Sequence, residues 1–241
     1  MSVLQVNDLT VRFALRCGEL TALDGVSFSI ERGQRLGIVG ESGAGKSVAA
    51  FSILNLVGKP RYIAGGEVLF EEMDLAMRSP LQMRAIRGNR ISMIFQDSMM
   101  TLNLVLTIGT QRVETLQAHR AISKAKARAV ASDRLADVYA CAPGTRFEQY
   151  PHELAGGMRQ RTVIAIALLA EPALIIADEP TTVLDVTIQA EIMELLLELC
   201  QTCDVGLILI THDLGVVAQV TQRAVVMYVG RIVEEGLTAD I

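Results

Sequence analysis

Residues Gly40-Glu41-Ser42-Gly43-Ala44-Gly45-Lys46-Ser47 have the spacing G-x-x-x-x-G-K-[ST] that cradles phosphate. Gly40, Gly43 and Gly45 let backbone approach a phosphate closely, and N–H groups then point inward beside the positive end of a helix. Lys46 supplies charge for β and γ phosphates, and Ser47 a hydroxyl for magnesium. Glu41, Ser42, Ala44 and Val48 complete the expected nucleotide cradle. Asp178 and Glu179 close a second apolar run. Asp178 suits a magnesium shell, and Glu179 faces differently, so that it can polarise an attacking water. Two acids closing a strand serve as readily as helix caps or turn residues. The phosphate loop upstream and Pro180 just after favour chemistry.

Three further sites depend on their place in the order of motifs. His212 follows the run 207–211; a lone histidine there is more often structural, but here it is a candidate to hydrogen-bond a γ phosphate. Gln96 follows the run 91–95 and is a candidate sensor of magnesium or of the attacking water. Gly156-Gly157 opens a helix and offers a second anion site. A small domain seldom needs both helix ends for one nucleotide. If the second serves another subunit's nucleotide, two chains sandwich it.

The elements that position these residues alternate. Residues 3–9 and 26–30 read as half-buried strands and 35–39 as a buried one, with the phosphate loop and a helix over 46–57 directly after. Strands are expected at 68–70, 91–95, 174–177, 207–210, 223–228 and 232–234, and helices from Met158 to about Ala170, stopped by Pro172, and over 186–199. Between them, 98–154 is mainly helical, with 123–139 presenting Val130, Leu135 and Val138 to a core. The fold class is α/β with a mostly parallel sheet and an inserted helical subdomain.

Composition narrows the function. The 241 residues bury one sizeable core, and although 51% are apolar no stretch reaches membrane-span length. Residues 1–9 mix polar and apolar side chains and do not read as a secretory signal, so a cytosolic protein is expected. The net charge of −5 announces no nucleic-acid partner, and Lys124, Lys126 and Arg128 read as a solvated helix face. Of Cys17, Cys141, Cys200 and Cys203, the last two form a C-x-x-C pair without two further zinc ligands at suitable spacing, and structural thiols are expected.

From residue 3 to 235 the order and wording of the motifs resemble the ATP-binding subunits of ABC transporters. Several strings resemble the peptide and nickel importers in particular: Met93-Ile94-Phe95-Gln96-Asp97, Tyr150-Pro151-His152-Glu153-Leu154, Gly157-Met158-Arg159-Gln160-Arg161, Ala177-Asp178-Glu179-Pro180-Thr181-Thr182, Leu184-Asp185-Val186-Thr187-Ile188-Gln189-Ala190 and Thr211-His212-Asp213-Leu214-Gly215-Val216-Val217-Ala218. The resemblance implies a P-loop NTPase with an N-terminal antiparallel β subdomain. It divides the chain into a nucleotide-binding core (1–97 and 172–241) and a helical subdomain (about 98–171). Lys46 and Ser47 then fall in Walker A, Gln96 in the Q-loop, Ala155 to Gly157 in the signature, Asp178 and Glu179 in Walker B, Asp185 in the D-loop and His212 in the switch. Gln96 joins Ser47 and Asp178 as a magnesium ligand. Phe13 is the candidate to stack on adenine, with core packing as its alternative. Implied with ATP and Mg²⁺ are two membrane permease subunits and a second ATP-binding subunit, identical or homologous. An extracytoplasmic solute-binding protein acts indirectly, and the chain sits on the cytoplasmic face of the plasma membrane.

Three departures stand out. The signature normally has serine where Ala155 stands, which predicts weakened activity. The loop after Gln96, Asp97-Ser98-Met99-Met100-Thr101-Leu102-Asn103-Leu104, lacks prolines usual in relatives near Ser98 and Leu104, and it faces the membrane subunits. The sequence ends at Ile241 where peptide-importing relatives generally continue, so a trimmed chain or a short member is expected. The alternatives are a soluble ABC ATPase of DNA repair or translation, whose usual coiled coils or second cassette are missing, and a weakly hydrolysing structural partner.

Overall fold

The computed structural model describes residues 2–16, 18–97, 101–136, 138, 143–182 and 184–241. Cys17, Cys141, Tyr139 and Ser98-Met99-Met100 lie outside the described residues. The chain runs β1 (Ser2–Leu15), β2 (Gly18–Glu31), β3 (Arg35–Val39), α1 (Lys46–Ile53), β4 (Arg61–Phe70), β5 (Met73–Asp74), α2 (Pro80–Ile86) and β6 (Ile91–Ile94). It continues through α3 (Ile108–His119), α4 (Lys124–Ala136), α5 (Pro143–Glu148), a 3₁₀ turn (Pro151–Glu153), α6 (Gly156–Ala167), β7 (Leu174–Asp178) and α7 (Val186–Thr202). It closes with β8 (Gly206–Thr211), α8 (Leu214–Val220), β9 (Arg223–Tyr228) and β10 (Arg231–Leu237).

An antiparallel sheet has the order β2-β1-β4-β5. Its first two strands are longer than expected, because the apolar alternation changes phase within them. Leu4 and Val6 are buried, then Leu9 and Val11. The phase slips across Asp8, whose φ is 50°, and the register with β2 shifts between Val6 and Leu9. A bulge absorbs the extra residue, so one strand continues where the sequence pattern stops.

The second sheet has the order β10-β9-β3-β8-β7-β6, antiparallel between β10 and β9 and parallel elsewhere. All five residues of β7 are buried, as are the first five of β8. Such continuous runs belong to strands covered on both faces. One face packs on α1 and the antiparallel sheet, through residues such as Ile38, Ala50, Ile53 and Ile208. The other packs on α6 and α7 through Ile175, Ile164, Ile192 and Leu196.

Helix α1 ends at Ile53, short of the expected residue 57. Asn55 takes a φ of 48°, its N–H reaches the Ser52 carbonyl at 2.9 Å, and the Leu56 N–H reaches that of Phe51 at 2.8 Å. This is a Schellman stop with asparagine in the left-handed position. Helix α6 begins two residues before Met158 and gives way at Ala167 to a turn ending at Glu171, whose φ is 57° before Pro172. The helices inserted between β6 and β7 have their own core. In α4 its stripe is Ala127, Ala131 and Leu135, four residues apart, with Val138 buried just beyond and Val130 only packed against the cluster. Lys124, Lys126 and Arg128 are exposed, and Arg128 lies over the ring of Phe147.

Candidate functional site

Parallel strands present their C-terminal ends at one edge, and here β3, β8, β7 and β6 are consecutive neighbours. Val39 pairs with Thr211, Asp178 with Ile210, and Ile94 with Ala177. The phosphate loop, His212, Glu179 and Gln96 therefore leave the sheet side by side, although they come from distant parts of the sequence.

The phosphate loop joins β3 to α1, with Gly45 as N-cap at φ 102°. A Cβ at Gly40 would lie 2.3 Å from the Met227 carbonyl oxygen, and one at Gly45 2.8 Å from Leu23 Cδ2. Sequence reasoning assigned these glycines to the phosphate; the fold also needs them, because the loop is gripped between β9 and β2. Lys46 is only 5% exposed, and its Nζ donates to the carbonyls of Gly40 at 2.7 Å and Glu41 at 3.0 Å. Its charge is thus held over the concave side of the loop by the loop's own backbone.

Ser47 Oγ donates to Asp178 Oδ1 at 3.1 Å. Burial pushes the Asp178 carboxyl above the usual carboxylate range; the Ser47 bond opposes this, the neighbouring Glu179 charge adds to it, and Lys46 opposes it. A buried, destabilised carboxylate beside a hydroxyl is a pair of hard oxygens suited to a cation. Among the described residues no group of three or more His, Cys, Asp or Glu side chains is placed to hold a metal. Magnesium does not need one, since one or two carboxylates suffice for it, together with neutral oxygens, substrate phosphates and water.

Glu179 occupies the left-handed region at φ 47°, and its N–H donates to the Ile210 carbonyl at 2.9 Å. Such a conformation costs about 1–3 kcal/mol in a residue other than glycine and persists where its surroundings impose it. Its Oε2 accepts from Gln96 Nε2 at 3.2 Å and from Thr182 Oγ1 at 2.9 Å, while Oε1 lies 3.5 Å from His212 Nδ1. Gln96, Glu179 and His212 are therefore one constellation. Thr182 is a member that sequence reading gave no role, though it stands in the string ending Pro180-Thr181-Thr182.

These groups open on a cleft of ≈ 520 Å³ lined by Ser42, Gly43, Gly45, Lys46, Ser47, Val48, Gln96 and Glu179. Its outer wall is apolar: Phe13, Leu20, Ala22 and Val229. Phe13 is half-buried at this wall, and the Arg61 guanidinium lies 5.7 Å from its ring centroid. A hollow of ≈ 600 Å³ adjoins, where Ser47, Asp178 and Gln96 meet Phe51, Phe95 and Asp97.

The remaining candidates lie elsewhere. No residue of 154–161 lines the cleft. Ala155 is the N-cap of α6 without a side-chain capping bond, and Ala155 and Gly156 are exposed. Asp185 is the N-cap of α7; its carboxylate makes no capping bond and is exposed. Cys200 is buried, which pushes its thiol up to about 12, and it and Cys203 are both free.

The comparisons agree with this architecture. The model of the ABC transporter family matches residues 23–182. The dipeptide transport ATP-binding protein DppD of Bacillus subtilis is 51% identical over 242 residues, covering 99% of this chain and 72% of the relative. The oligopeptide transport ATP-binding protein OppD of the same organism is 50% identical over 240 residues, covering 99% and 67%. Among solved structures, the dimeric ATP-binding cassette MJ0796, in a post-hydrolysis state bound to ADP and Pi, superposes with a TM-score of 0.85 at 26% identity, over 98% of both chains. The chain belongs to the ABC transporter family.

Proposed function

We propose that this chain is the ATP-hydrolysing subunit of an importer, driving peptide uptake through partner membrane subunits. One observation carries the reading. A single cleft gathers the phosphate loop, Lys46 and Ser47 with Gln96 and Glu179, and Asp178 and His212 contact that set. The peptide assignment rests on the relatives, whose names are those of dipeptide and oligopeptide transport proteins.

The loop amides at the start of α1 and the Lys46 ammonium take the β and γ phosphates of ATP. Ser47, Asp178 and Gln96 would hold magnesium, which would supply positive charge against the phosphates. Glu179 accepts the proton of the attacking water, and His212 steadies the γ phosphate beside it. The cleft is open and 154–161 lie outside it, so a second ATP-binding subunit supplies Ala155, Gly156 and Gly157 to the nucleotide, with Asp185 near the junction. The complete assembly has two such subunits, two membrane permeases at whose cytoplasmic face they dock, and an extracytoplasmic solute-binding protein.

Glu179→Gln tests the reading. It should retain ATP binding, lose hydrolysis and, with ATP and magnesium, elute as a dimer in size-exclusion chromatography. Wild-type turnover in this variant would sink the assignment of Glu179.

A further inference from the structure

Resting on that reading of Glu179, we infer that Thr182 is a positioning residue that selects which carboxylate oxygen receives the proton of water. Thr182 follows Glu179 by three residues, on the turn that leaves β7. Its hydroxyl lies 2.9 Å from Glu179 Oε2 and 3.1 Å from the Glu179 backbone carbonyl oxygen. Gln96 Nε2 donates to the same Oε2 at 3.2 Å. A carboxylate oxygen has two lone pairs in its plane, and these two donors occupy both of them on Oε2. Oε1 is left as the basic atom, and it is the oxygen that faces His212, 3.5 Å away. The water is thereby directed to the side of the carboxylate where the γ phosphate is steadied.

The second acceptor explains how such a hold can be released. A hydroxyl has one proton and donates to one partner at a time. If nucleotide draws the carboxylate away, the Thr182 hydroxyl turns to the backbone carbonyl and keeps a hydrogen bond. Glu179 can then move without stranding its donor. The left-handed backbone of Glu179 restricts the side chain from below, and Thr182 restricts it from the tip.

The test is ATP hydrolysis by Thr182→Val and Thr182→Ser, in the purified chain or, if turnover needs the partners, in the reconstituted transporter. Valine keeps the shape and removes the donor; serine keeps the donor. Losing one hydrogen bond to a charged group lowers kcat about tenfold or more. The KM for ATP should stay within about twofold, since Thr182 does not line the nucleotide cleft. Serine should restore kcat, and valine should have no further effect in a Glu179→Gln background. Thermal melts check folding, and Thr182→Ala replaces valine if that variant is unfolded. Unchanged kcat in the donor-less variant, with Glu179→Gln inactive, would overturn the role of Thr182 alone. An active Glu179→Gln would overturn the base assignment and this inference with it.

Discussion

Replacing Ala155 with serine should change two quantities by separable amounts. Ala155 is the N-cap of the 12-residue helix α6, makes no capping bond, and is followed by a first turn without an acidic residue. The helix start therefore has neither a side-chain acceptor nor a compensating charge. A serine hydroxyl there satisfies one orphan N–H and contributes about 1 kcal/mol. In a domain of this size that raises the melting temperature by roughly 2–4 °C. The same hydroxyl, exposed at the helix tip, can instead donate to the nucleotide of a partner subunit. A hydrogen bond to a charged group is worth about 1.5–3 kcal/mol, or roughly a tenfold or greater gain in kcat if it strengthens in the transition state. Glycine separates the effects, because it caps nearly as well as serine but has no hydroxyl. Differential scanning fluorimetry should rank serine and glycine close together above alanine, whereas steady-state ATP hydrolysis should improve only with serine. Equal turnover in all three would refute the argument that the missing hydroxyl limits activity.

Asp178→Asn should stabilise the nucleotide-free chain at neutral pH while abolishing magnesium-dependent hydrolysis. Burial raises the Asp178 carboxyl in the folded state, so the native form binds a proton that the unfolded form has lost, and stability falls as pH rises through that window. The melting-temperature gain of asparagine should therefore shrink on acidification and vanish below the unfolded carboxyl's own titration; a gain independent of pH would contradict this. Gly40→Ala should lower the melting temperature by several degrees, because its Cβ would meet the Met227 carbonyl oxygen at 2.3 Å in a backbone at φ 155°. An unshifted melt would show that the grip of β9 on the loop is slack.

The motifs were legible because each couples residue type to a break in periodicity: a glycine loop after a buried strand, or acids closing an apolar run. Their convergence was not. The order β3-β8-β7-β6 joins strands separated by a helical insertion and by crossovers, and nothing in a local pattern specifies which parallel neighbours pair. The long β1 was hidden for a local reason, since the slip at Asp8 interrupts the alternation by which strands are recognised. Thr182 was hidden for the opposite reason: its role depends on Glu179 being left-handed, a backbone state that residue type does not announce. The end of α1 at Asn55 was readable in principle, since asparagine tolerates that conformation. The apolar residues continuing to Val57 outweighed it.

Phe13 is where the sequence left two roles open, adenine stacking or core packing, and its surroundings supply a test that separates them. A core phenylalanine is enclosed; Phe13 is half-buried and lines the cleft beside Leu20, Ala22 and Val229. It pairs across β1 and β4 with Arg61, whose guanidinium lies 5.7 Å from its ring centroid and 5.9 Å from that of Phe51 on α1. The cation fixes the ring and leaves it available at the apolar end of a cleft whose other end is the phosphate loop. A base stacked there gains about 1–3 kcal/mol, without hydrogen bonds that would read its edge. Phe13→Ala should therefore weaken ATP binding about tenfold or more in isothermal calorimetry, with little change in melting temperature, and the wild type should accept GTP nearly as well as ATP. A variant that melts several degrees lower but binds ATP normally would return Phe13 to a packing role.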